Sequence, residues 1–389
     1  MSVIEIFNML MMNVFSSSIL LFVIFIVRKK FLKNKILTIS EIVLLYCFTL
    51  ARLIIPLDHQ LVMVVDMKWL NPISDFLFFT DELFKKPIFP AYKILGISYT
   101  VIVLSALSLL LVRYIKMRIS VNSMTSVRDN RINGIASDAK KKVGINNTVD
   151  IKTVGEISSP LSIGGFRKTV ILPKELHKVY SDEELYNIFL HEFTHIKNRD
   201  FLILLLATVT ECLFFWNPLV YRMKADLEQS LEIRCDKTAT RNMTKTEKKS
   251  YLQTILDAMK KDEQHATGRL KNAVALSFSS DASNMIERFE LIKADKGSRI
   301  NPVGVAFTAL LAAFFVASYF IVFTASYEPN IEDIVGPNNE YVEMNPKTDY
   351  IREDSAGNYY LILSDGSVFD SDYEEAQFWE GIGGKVICE

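Results

Sequence analysis

Val3–Val27 is a continuous apolar run interrupted by a single charge, Glu5. As a helix rising 1.5 Å per residue it would span the ~30 Å hydrocarbon core of a bilayer. The chain must therefore give this run either lipid or a large buried core. Three further runs make the same demand: Ile36–Leu57, with Glu41 and Arg52 near its ends, Ile94–Val112, and Val303–Thr324. Basic residues stand at their margins. Arg28, Lys29, Lys30, Lys33 and Lys35 follow the first run, and Arg113, Lys116 and Arg118 follow the third. Arg288, Lys293, Lys296 and Arg299 precede the fourth. Nothing basic precedes the first run, unlike a secretory signal. Lys and Arg are held on the cytoplasmic side of a membrane, and four spans satisfy all three clusters at once. The expected topology has the N-terminus outside, residues 113–301 in the cytoplasm and the tail outside. The competing reading, core helices of a large soluble protein, suits neither the length nor the purity of the first and fourth runs.

Charge supports two compartments. The formal net charge is −1, yet residues 325–389 hold 15 Asp/Glu against 3 Lys/Arg, a net of −12 that leaves +11 on the rest. An acidic tail on a basic body suggests one portion on each side of the membrane. The basic clusters are explained by their place beside the spans, so direct nucleic-acid binding is not expected, and no Gly-rich phosphate loop is present. Cys47, Cys212, Cys235 and Cys388 are scattered, with neither disulfide-framework nor zinc-ribbon spacing.

The chemistry lies in His191-Glu192-Phe193-Thr194-His195. Positions i and i+4 share a helical face, so His191 and His195 can present imidazoles to one Zn²⁺. Glu192, one step round, can take a proton from a bound water. Ser181 and Glu184 form a capping box, and Leu185, Ile188 and Phe189 supply an apolar stripe, so a helix is expected here. The bland alternative is a helix that carries two histidines by accident. Catalytic zinc usually has a third protein ligand. Downstream, Glu228 and Glu232 share a face, as do Glu232 and Asp236. One carboxylate could bind metal while a neighbour four residues away supports a ligand histidine, or all could be solvated charges. Between these motifs lies a fifth apolar run, Phe201–Val220, containing Glu211 and Trp216-Asn217-Pro218, which should break a helix. Crossing the membrane there would part the ligands, so a non-crossing helix pair is expected.

This set of motifs resembles the BlaR/MecR-type antirepressor metallopeptidases. The resemblance rests on His191–His195 with Lys197 and Asp200, on Trp216-Asn217-Pro218-Leu219-Val220, and on Glu232-Ile233-Arg234-Cys235-Asp236. Ser159-Pro160, Gly164 and Ile171-Leu172-Pro173 upstream add to it. It covers roughly residues 1–325, including the order of spans. It implies that Glu232 is the third zinc ligand and that Asp236 supports the site from behind. It also implies a cytosolic protein substrate, with loss of a dimeric, winged-helix transcriptional repressor as the output, and self-cleavage within 113–301. The best-known members of that family carry an extracellular penicillin-binding sensor. The tail here has no Ser-x-x-Lys, and Lys347-Thr348-Asp349 is not Lys-Thr-Gly, so β-lactam sensing is not expected.

The expected architecture is an α-rich membrane protein of the plasma membrane. Residues 1–112 hold three transmembrane helices and an extracellular loop at 58–90. Residues 113–301 form a cytosolic α+β, gluzincin-like metallopeptidase domain, with 201–220 membrane-associated. Residues 302–324 are the fourth helix and 325–389 the acidic tail. Asn130–Val143 should be helical, Val149–Val154 and Thr169–Leu172 short strands, and Tyr359–Leu363 with Ser367–Phe369 a hairpin about Asp365-Gly366. His177 reads as a surface residue, and His59 and His265 have no supporting neighbours. Two rivals remain: a constitutive quality-control or prenyl-peptide-processing protease with the same site, and a non-catalytic receptor with structural zinc. A structural site has no need of Glu192. Stimulus and oligomeric state are not legible.

Overall fold

The computed structural model describes residues 3–55, 63–67, 71–72, 91–155, 160–165, 167–174, 180–264, 282–293 and 301–325, and in the tail 348–354, 357–364, 366–371, 376–377, 379–380 and 384–388. Most of the loop expected at 58–90, and His59, His177 and His265, lie outside the described residues. The chain divides into two compact units, Met1–Ser326 and Tyr327–Glu389.

In the first unit, α1 (Val3–Lys33) and α3 (Ala91–Ser123) each contain a stretch long and apolar enough to cross a membrane. Helix α3 leaves Ile94, Leu104, Leu109 and Ile119 more than half exposed, a surface suited to lipid. The second expected span is the 16-residue α2 (Ile39–Ile54), about 24 Å long and largely buried. Thr38 caps it, accepting from Glu41 N while Glu41 reaches back to Thr38 N.

The fourth expected span, Val303–Thr324, is helical only as far as α10 (Pro302–Ala317). After a turn, Ile321–Ala325 is a strand, β6, parallel to β1 (Met63–Met67). The change has a local cause: Ile321-Val322-Phe323-Thr324 is β-branched and aromatic, and its side chains favour a pleated backbone.

The mixed region follows α3. Strands β2 (Thr125–Ser126), β3 (Asp150–Val154), β4 (Leu161–Ile163) and β5 (Thr169–Pro173) form one sheet in the order β2-β3-β5-β4. Only β3 and β5 run parallel. Helix α4 (Asn130–Val143) lies where the sequence places it. Asp129 caps its start, and Gly144, at φ 79°, ends it in the left-handed region that glycine enters at little cost. Its buried Ile132, Ala136 and Ala139 pack with Val170 and Leu172 of β5 and with Leu185, Ile188 and Phe189 of the next helix. That core seats the helix bearing the His-Glu-x-x-His motif.

In the second unit the expected hairpin is present. β8 (Tyr359–Ile362) pairs with β9 (Val368–Ser371), with Gly366 at φ 88° in the turn. The sequence reading missed β7 (Tyr350–Glu353) and β10 (Lys385–Cys388), which complete the order β10-β7-β8-β9 over buried Ile351, Ala376 and Trp379.

Candidate metal centre

Helix α5 (Asp182–Asn198) begins at a complete capping box: Ser181 accepts from Glu184 N, and Glu184 takes the Ser181 N–H at 2.8 Å. Such a cap is worth about 1 kcal/mol. Its acidic first turn also complements the helix dipole. The helix ends at Arg199, whose φ of 57° is left-handed and costs a non-glycine residue about 1 kcal/mol. This turn starts α6 (Asp200–Leu213) at once and brings Asp200 back under His195, with Oδ2 2.7 Å from Nδ1.

After α6 the chain reverses. Asn217 accepts from Leu219 N at 3.0 Å, and Pro218 occupies the first turn, so Trp216-Asn217-Pro218 ends one helix and starts another, α7 (Pro218–Ala239). Helices α6 and α7 pack side by side. The hairpin returns Glu232 to the two histidines, as the non-crossing reading requires. Helix α7 is fixed from behind by its own apolar face, since Met223, Leu227 and Leu231 are buried among Leu21 and Ile24 of α1 and Ile42 and Leu45 of α2.

The polar centre is buried. His191, Glu192, His195 and Glu232 are each under one-tenth exposed, and Asp236 is fully buried. The two Nε2 atoms face each other at 3.1 Å. Glu232 lies against both, Oε1 at 3.3 Å from His195 Nε2 and Oε2 at 3.5 Å from His191 Nε2. The Nδ1 atoms have other partners. His191 Nδ1 lies 3.2 Å from Asp236 Oδ1 and 2.8 Å from the Tyr251 hydroxyl, which itself donates to Asp236 at 2.9 Å. Tyr251 comes from α8 (Lys245–Gln264). Asp200, also paired with Arg234, holds His195 Nδ1.

With both Nδ1–H groups donated to acceptors, the Nε2 atoms present lone pairs to each other and to a carboxylate. Such a cluster of donors, with no proton between them, needs a cation. Burial opposes charge on the imidazoles, but Cys235 and the hydrogen-bonded Asp236 and Glu232 raise His191 well above its ordinary pKa. Cys235, Glu232 and Asp200 do the same for His195. Protons or a metal ion can supply that cation, and two imidazoles with one carboxylate are a donor set suited to zinc. The residues therefore fit the metal. His191, His195 and Cys235 also bring donor atoms within 4.8 Å of one another. The Cys235 thiol, however, donates to the His191 carbonyl oxygen at 3.3 Å and lies 3.6 Å from His191 Nδ1, and it also interacts with His195. Glu232 is the group that meets both Nε2 atoms.

The structure thus brings together His191, His195, Glu232 and Asp236, with Glu192 buried next to His191 on the same helix. Glu228 is turned away toward Lys224, 4.0 Å distant. Three participants were not assigned roles from sequence: Asp200, Tyr251 and Arg288. Arg288 lies on α9 (Ala282–Lys293) and pairs with both Glu232 and Asp236. Although burial opposes ionisation, Arg288 and His195 hold Glu232 well below the usual carboxylate range. The sequence reading placed Arg288 in the basic cluster before the fourth run; the structure buries it in a stripe with Met285 and Ile292, where a cation calls for a partner.

A His-Glu-x-x-His helix with an incoming carboxylate defines a metallopeptidase type of centre. Residues 81–292, more than half the chain, match the family model described as BlaR1 peptidase M56. The chain belongs to this family of membrane metallopeptidases that act in signal transduction. It is 30% identical over 109 residues to the regulatory protein BlaR1 of Staphylococcus aureus, covering 28% of this chain and 19% of that protein. It is 26% identical over 144 residues to the methicillin resistance mecR1 protein of Staphylococcus aureus, covering 37% and 24%. With the regulatory protein BlaR1 of Bacillus licheniformis it shares 26% over 191 residues, covering 48% and 30%. The matched part spans less than a third of each relative.

Proposed function

We propose that this chain is a multi-pass zinc metalloendopeptidase of the plasma membrane that transduces an external signal by cleaving a cytosolic protein, leading to loss of a transcriptional repressor. The observation that carries the reading is the meeting of His191 Nε2, His195 Nε2 and the Glu232 carboxylate in one buried cluster. These three residues would hold Zn²⁺. Bound zinc would supply a Lewis acid that polarises a peptide carbonyl and makes its water more acidic.

The remaining chemistry belongs to the chain. Glu192, buried beside His191 on α5, accepts the proton of the attacking water and returns it to the leaving nitrogen. Asp236 and Tyr251 keep His191 in the tautomer that offers Nε2, and Asp200 does so for His195. Edge strand β4, packed on α5, gives an extended substrate a backbone to pair with. The basic margins of the apolar helices orient residues 113–301 toward the cytosol, so the substrate is met there. By likeness to the family, a winged-helix repressor and a bond within 113–301 itself are the targets. The chain itself makes no direct contact with nucleic acid.

Quantitative proteomics of wild type against Glu192→Gln, under a stimulus that induces the neighbouring genes, tests this. A cytosolic repressor should persist only in the mutant. Accumulation of misfolded or membrane-embedded proteins, with no repressor among them, supports constitutive quality control in its place.

A further inference from the structure

Arg288 is a buried cation from an element that carries none of the motif. It is 5% exposed and faces Glu232 and Asp236, which are 6% and 0% exposed and lie one helical turn apart on α7. Its Nε donates to Asp236 Oδ2 at 2.7 Å, and Nη2 reaches Asp236 Oδ1 and Glu232 Oε2, each at 3.1 Å. The planar guanidinium can hold two carboxylates in fixed relation, which a lysine ammonium cannot do. The helix that delivers it is held to α7 and to α1 by contacts just before Arg288. Gln229 Nε2 donates to Asn284 O at 2.7 Å, and Glu287 pairs with buried Arg28 at 3.1 Å.

The two Glu232 oxygens therefore differ. Oε2 is engaged by Arg288 at 3.1 Å and lies 3.5 Å from His191 Nε2, while Oε1 lies 3.3 Å from His195 Nε2. Each carboxylate oxygen has two lone-pair sites, so a guanidinium on Oε2 occupies part of that oxygen's capacity and biases the carboxylate toward offering Oε1 to a metal. We infer that Arg288 is a positioning residue of the metal centre, which engages Oε2 of Glu232 so that this side chain ligates preferentially through Oε1, and fixes Asp236 behind His191. The inference rests on the reading of Glu232 as a ligand. It adds a determinant of coordination number, and hence of the position left open for water and substrate.

Cobalt(II) can replace zinc in the purified full-length protein, and its visible absorption is strong when four-coordinate and weaker when five-coordinate. The variants are Arg288→Lys, which keeps the charge and loses the fork, Arg288→Met, and Glu232→Ala, each also titrated with a competing chelator. Arg288→Lys should bind cobalt about 10–100-fold more weakly, with a weaker visible band as both oxygens of Glu232 become available. Arg288→Met should behave likewise where it folds. Wild-type band and affinity in Arg288→Lys overturn the inference, even where melting of the metal-free protein shows lost stability, because that pattern marks a purely structural ion pair. Wild-type band and affinity in Glu232→Ala overturn instead the ligand assignment on which the inference rests.

Discussion

Glu228 and Glu232 are chemically identical and one turn apart on α7, and their surroundings separate them. Glu232 meets two imidazoles and Arg288. Glu228 pairs with Lys224 at 4.0 Å and also feels Glu211 and Glu232, and burial pushes its carboxyl up to about 7. A carboxyl whose pKa is raised on folding binds its proton more tightly in the native state, so its contribution to stability is full below pH 4.5 and is lost as pH rises through about 7. Glu228→Gln should therefore raise the melting temperature by a few degrees at pH 8.5, with the gain shrinking toward zero as pH falls to about 4.5. A gain that is equal at both ends of this range assigns the effect to packing and not to the charge. At this scale, the spacing of His191 and His195 made the centre legible, since a four-residue repeat is a property of one helix. Spacing could not choose between Glu228 and Glu232, because both lie on the same face. Tyr251 and Arg288 were hidden for a related reason: their partners lie on other helices, and no local period encodes which helices meet.

Among the elements, the α6–α7 hairpin decides whether one metal centre can exist. Its reversal depends on the Asn217 cap and Pro218, both readable as local rules. The end of α10 was less legible. An apolar run satisfies lipid as helix throughout, and the β-branched preference of Ile321–Thr324 becomes a strand where β1 is there to pair with it. The same holds for β10, which pairs with β7 across the intervening β8–β9 hairpin. The orientation of these elements is tested by single cysteines near Ser123 and Asn338 in a background without native cysteines. On intact cells, an impermeant reagent should label only the second. Equal labelling of both would mean that residues 201–220 cross the bilayer or that the α10 region does not.

For the whole molecule, the contacts that reach the centre begin far from it. Arg52 of α2 donates to Ser318, just beyond α10, through Nε at 2.8 Å. Tyr46 of the same helix donates to Asp226 of α7, and Arg28 of α1 pairs with Asp226 at 3.3 Å. Glu232 lies on that same α7, so the apolar helices and the candidate metal centre share a single buried frame. This frame offers a contiguous route for a signal, although a route becomes coupling only when two states are shown to depend on it. The central claim is narrower: Glu232 holds the metal and Glu192 moves the proton. It is tested most directly by measuring bound zinc and peptide-bond cleavage on the same purified full-length samples. Wild type should carry about one zinc per chain and cleave, Glu192→Gln should keep its zinc and not cleave, and Glu232→Ala should lose the metal. Full cleavage by Glu192→Gln, or zinc retained in Glu232→Ala but lost in Glu228→Ala, would contradict the account.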